Sequence, residues 1–219
     1  MSKKFVKLLS IAALSLSVAA LVAPVSAQNF GFGKKKESTV NWDSISGESD
    51  AALKNLYTGQ ANLSKAVADL ADILELKDEA AGLRASAQTV SECGASTCSE
   101  FSEVTEKDAK VQAQVVQELE KKADSLSDAQ KEKAGDALKN YVAGGIMFAA
   151  GLKDGKRLGE LAADAPMLKK TKFIGLLKAV PTATKGGANL VQTAPVLFKI
   201  ATAADIKQPE GKDELMNML

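Results

Sequence analysis

The residue pattern predicts an all-α fold, an irregular bundle of about five or six helices behind an extended N-terminal arm. Apolar residues recur at three- and four-residue intervals through most of the chain beyond residue 48, the spacing of one helix face. No segment alternates apolar and polar residues between hairpin turns, so strands are not indicated. Turn and capping signals fall between the periodic segments, at Gly94, at Ser127-Asp128-Ala129-Gln130 and at Asp164-Ala165-Pro166.

The first 27 residues have the three parts of a secretory signal. Lys3, Lys4 and Lys7 give a positive start, Leu8 to Val22 an apolar stretch, and Val25-Ser26-Ala27 small residues at the cleavage positions. The apolar run is short for a membrane span and ends near Pro24. The expectation is a cleaved leader and a periplasmic product, with secretion beyond the periplasm still open. Loss of the leader lysines takes the formal charge from +1 to about −2. Residues 28–47 show no periodicity. They hold Phe30, Phe32, a Lys34–Lys36 run and the single tryptophan, Trp42. They read either as an extended arm that packs by its aromatics or as a disordered leader. Residues 48–207 read as one bundle domain and 208–219 as a polar C-terminal tail.

From Ser49, Leu53, Leu56, Leu63, Val67, Leu70 and Leu74 form one helical stripe. Gln60 is the polar residue on that seam, able to fix register or line a cavity. A bend near Glu75–Asp78 leads to a second helix over 76–92, with Leu83, Ala87 and Val90 inward. Cys93 and Cys98, the only cysteines, lie in the turn that follows. In an oxidising compartment they are expected to close a disulfide that pins a helical hairpin. They lack the C-x-x-C spacing of a redox pair. A third helix runs from about Ser102 to Leu126 on Val104, Val111, Val115 and Leu119, its outer face laced with opposite charges.

Ser127 and Gln130 have capping-box form. The helix they open carries Ala134, Leu138, Tyr141, Gly145, Phe148 and Leu152 on its seam, with Gly144 and Gly151 among alanines. Glycine lowers helix stability by about 1 kcal/mol against alanine, so several together imply close backbone approach or space for a ligand. Gln60, Gly144, Gly145, Phe148 and Gly151 are the candidate lining of such a cavity.

Between Asp164 and Asp205 there is no acidic residue, whereas residues 48–132 carry about eight more acids than bases. Lys169, Lys170, Lys172 and Lys178 intersperse with Phe173, Leu176, Leu177 and Val180, an amphipathic pattern suited to a bundle helix or a membrane surface. That helix is expected to end at Pro181, with Lys185-Gly186-Gly187 as a flexible link. A last helix over 189–204 is expected to be kinked or split by Pro195.

Histidine is absent, which removes Ser-His-Asp and Cys-His nucleophilic sites and every imidazole-bearing metal site. No cofactor or metal is expected, no carboxylate pair stands out from surface charge, and no basic-aromatic surface suggests nucleic acid. The expected function is a non-catalytic interaction or scaffolding protein of the bacterial envelope. Its basic segment 167–185, through Lys169, Lys170, Lys172 and Lys178, would meet an envelope protein, a second copy or an anionic membrane surface, the last by the helix over 167–180. The alternative is a carrier or sensor of an apolar, lipid-like molecule held between helices.

Overall fold

The computed structural model describes residues 40–219, and all of its regular structure is helical. The expected leader, 1–27, and the arm up to residue 39 lie outside the described residues. Helix α1 spans Trp42–Ile73, α2 Lys77–Ser91, α3 Phe101–Lys122, α4 Asp128–Ala163, α5 Met167–Lys170, α6 Ile174–Ala203 and α7 Lys212–Met218. Short 3₁₀ turns follow α3 and α5.

Helix α1 begins at Trp42, so residues 42–47 belong to the bundle and not to an extended arm. Periodicity missed this turn because a local cap makes it. Asn41 Oδ1 accepts the backbone N–H groups of Asp43 and Ser44, each at 3.2 Å, and Asp43 suits the positive end of the helix dipole. The capping box of α4 is present as expected, with Gln130 N–H donating to Ser127 Oγ and Ser127 N–H donating to Gln130 Oε1.

Helices α1 and α4 form the spine. They run antiparallel, because Gly151 faces Leu56 while Gly144 faces Leu63 further along α1. Their backbones touch. A Cβ on Gly59 would lie 2.5 Å from the Phe148 backbone nitrogen, and one on Gly151 would lie 2.8 Å from that of Leu56. Close backbone approach is thus the reason for glycine here. The main core wraps this pair, with Leu56, Leu70, Leu83, Leu119, Leu138, Tyr141 and Phe148 all fully buried. Helix α2 folds back on α1, and Arg84 reaches Asp69 at 2.9 Å and Asp72 at 2.6 Å. Leu215 of α7 is buried against Gly145 of α4, so the C-terminal tail docks on the bundle.

Helix α6 corrects the expected chain break. It continues unbroken through Pro181, Gly186-Gly187 and Pro195. Proline removes an N–H and crowds the carbonyl four residues back. Both prolines are exposed, as are Leu177 and Val191, so the freed carbonyls sit on the outer side. The inner face packs instead, through Leu176, Ala179, Ala183, Leu190, Ala194 and Leu197. The two glycines are contact points. A Cβ on Gly187 would meet Leu152 at 2.8 Å, and one on Gly186 would meet the Phe148 ring at 3.0 Å. Among the described residues no helix is long and apolar enough to cross a membrane.

Candidate functional site

The turn from α4 to α6 builds a corner. Asp164 ends α4, Pro166 enters α5 in extended conformation, and Met167 and Leu168 project from the first turn of that short helix. Met167 is 86% and Leu168 90% exposed, more than any other large apolar residue among those described. Beneath them lies a small separate core of Ala162, Ala165 and Phe173, packed against Trp42 and Ile45 of α1. The Trp42 and Phe173 rings meet edge to face with centroids 6.2 Å apart. The corner is therefore held from below by the helical turn that the sequence pattern left in the arm.

The four expected contact lysines divide into two kinds. Lys172 lies 2.6 Å and Lys169 3.1 Å from the Asp43 carboxylate, which they hold below the usual carboxylate range, Lys172 foremost. Lys170 and Lys178 are exposed and meet no carboxylate among the described residues. Lys185, at the end of the basic segment, reaches Glu106 at 3.3 Å. Ile174 and Leu177, one turn apart on α6, are 43% and 44% exposed and extend the apolar surface away from the tip.

A second feature is buried. Gln60 Nε2 donates to Asp108 Oδ2 at 3.2 Å and to Ser64 Oγ at 3.4 Å, and Ser64 also contacts Asp108. Asp108 is 5% exposed, and burial raises its carboxyl pKa against the opposing pull of Ser64, Ser86 and Gln60. Ser86 stands close on α2 without completing a hydrogen bond, which leaves Asp108 Oδ1 unpartnered. Beside this group Gln112 donates to Tyr141 at 2.6 Å and to Thr193 at 3.1 Å, and Asn189 donates to Gln112 at 2.9 Å. Burial pushes the Tyr141 hydroxyl up to about 12, so it stays protonated. The two groups enclose about 20 Å³, room for one water.

The residues expected to line one ligand cavity do not share a space. Gly144 and Gly151 face the α1 backbone, Gly145 lies under Leu215, and Gln60 turns toward Asp108. Side-chain removal at these glycines is filled by neighbouring helices, so no void is left there. Phe148 alone lines a larger hollow, an open groove of about 450 Å³ with Leu152, Leu190, Val191, Met218 and Leu219, rimmed by Lys153 and Lys156. No family model matches the chain, and no curated protein or solved structure is significantly similar to it.

Cys93 and Cys98 form a disulfide, with Cα atoms 5.4 Å apart. Among the described residues the one convergence of metal-ligating side chains is Cys93, Cys98 and Glu100, and both sulfurs are consumed in that bond. The loop it closes rests on α6, where Thr97 faces Gly175, and Phe101 stacks edge to face on Tyr57 at 5.0 Å.

Sequence reasoning missed two participants, Asp108 and Asp43. Asp108 had a signal, for it lies on the seam between Val104 and Val111. Asp43 had none, because its partners are more than 100 residues away. Met167 and Leu168 fell within the expected 167–185 contact segment, but their near-complete exposure was not legible there.

Proposed function

We propose that this chain is an exported, non-catalytic interaction protein of the bacterial envelope, and that it contacts its partner through the corner Met167–Lys178. The observation that carries this reading is the near-complete exposure of Met167 and Leu168 on the segment that also exposes Lys170 and Lys178, neither of which meets a carboxylate among the described residues. Burying two large apolar side chains favours association by roughly 1.5–3 kcal/mol each. Isolated exposed apolar residues are ordinary, whereas adjoining ones this exposed leave apolar surface for a partner to cover. The non-catalytic part of the reading is supported by the missing histidine and by the surroundings of Asp108, where no nucleophile adjoins a space large enough for a substrate.

A photo-crosslinking residue at position 168, introduced into the chain expressed in cells, tests this. Capture of a discrete envelope component, lost when Lys170 and Lys178 are both changed to Glu, is the expected result. A folded protein that yields no adduct from position 168 overturns it.

The apolar groove lined by Phe148, Leu152, Val191 and Met218 favours a second reading, a carrier of a lipid-like molecule. Two lysines at its rim suit an anionic head. Native mass spectrometry of the purified chain distinguishes the two, because a carrier retains a small molecule and a contact protein does not.

A further inference from the structure

We infer that the surface met by this corner is an anionic lipid bilayer, into which Met167 and Leu168 insert while Lys170 and Lys178 engage the phosphates; the inference rests on the contact role proposed above. The tip is convex. It lies at the N-terminal end of a four-residue helix between two long helices. Such a shape suits insertion into a fluid interface, and it would fill a protein pocket only if that pocket were deep and apolar. Lys170 follows the apolar pair by two residues on α5 and Lys178 lies in the second turn of α6, so apolar and cationic side chains are exposed on one segment, the composition of a membrane-surface element. From residue 165 to 204 no carboxylate opposes a phosphate surface. Three neighbouring acids remain. Asp43 is already covered by Lys169 and Lys172, while Glu160 and Asp164 are exposed at the C-terminal end of α4. The free lysines, with the two on Asp43, outnumber them.

The corner is also preorganised. Phe173 is fully buried beneath it against Trp42, and the two lysine contacts to Asp43 tie the segment to α1. Binding therefore orders little. A second copy is the main rival, since an acid-rich hollow of about 460 Å³ lies between α1 and α4. It serves poorly as a socket. Its apolar floor is Ile73 and Ala137, and Arg84 already occupies Asp69 and Asp72.

The experiment is sedimentation of the purified full chain with vesicles of phosphatidylglycerol and phosphatidylcholine in equal parts, against phosphatidylcholine alone. Binding to the anionic vesicles is expected, weakened about tenfold or more by K170E with K178E and likewise by M167S with L168S. These residues are exposed, so circular dichroism should be unchanged. A second reporter is L168W in a W42F background, whose emission should shift to the blue on anionic vesicles and be quenched by acyl-brominated lipid. Equal binding to neutral vesicles, or binding indifferent to both double variants, overturns the inference. If the chain ignores vesicles but a crosslinker at 168 still captures a protein or a second copy, the lipid assignment fails and the contact role stands. If neither occurs, both fail.

Discussion

Asp108 sits on the seam of α3, one turn after Val104 and one turn before Val111, where an apolar side chain would ordinarily pack. Its charged form is disfavoured there because burial outweighs the hydrogen bonds from Ser64 and Gln60 and the nearby Ser86 hydroxyl. The folded state thus holds the Asp108 proton more tightly than the unfolded chain does. Between the ordinary value of 3.8 and the raised folded value, stability contributed by this group falls as pH rises, and above that window the penalty is complete. Asp108→Asn keeps the shape and cannot ionise. Its stability relative to the unchanged chain should increase from acid toward neutral pH and then level off, as measured by urea unfolding across that range. A difference that is flat with pH would show that burial does not govern this carboxyl.

Within elements, the glycines separate into two kinds that only their surroundings distinguish. Gly59 of α1 lies against the α4 backbone, where a Cβ would come 2.5 Å from Phe148 N, whereas Gly82 of α2 meets only the end of Lys107 at 3.8 Å. Gly59→Ala should lower stability by about 1–3 kcal/mol, since the helices must move apart to accept it. Gly82→Ala should raise stability by up to about 1 kcal/mol through helix propensity. Thermal melts of the pair give opposite signs if the contact explains Gly59. Pro181 is a comparable case. It lies on the outer face of a continuous α6, so Pro181→Ala restores a hydrogen bond without disturbing packing. The melting temperature should rise, and a fall would mean that the proline shapes the helix to its neighbours.

At the scale of the whole molecule, α1 links the corner to the main core. Its first turn supports the corner through Trp42 and Asp43, its middle packs on α4, and the disulfide loop closes near Tyr57. Reducing Cys93–Cys98 should destabilise the bundle by about 2–3 kcal/mol, the scale for a short closed loop, and denaturant melts with and without reductant measure it. Asp43→Asn releases Lys169 and Lys172 from their carboxylate. If the corner meets anionic lipid, that variant should bind phosphatidylglycerol vesicles more tightly than the unchanged chain, while altered Trp42 emission reports the loosened support. Weaker binding would mean that a fixed tip matters more than added charge.

The amphipathic stripes, the capping box at Ser127 and the Cys93–Cys98 bond were legible in the sequence because each depends on neighbours three to five residues away. The helical class follows from that local periodicity, and the close packing of Gly144 and Gly151 was one of its stated readings. Tertiary structure alone decided the rest. The continuity of α6 through Pro181 and Pro195 depends on which face the bundle buries, since a lost backbone bond is tolerable where water can replace it. The burial of the first α1 turn beneath the corner depends on Phe173, the neutralisation of Lys169 and Lys172 on Asp43, and the missing cavity on α1 and α7 filling the space that the glycines vacate. These are contacts between residues remote in the chain, and a single sequence encodes no distance between them.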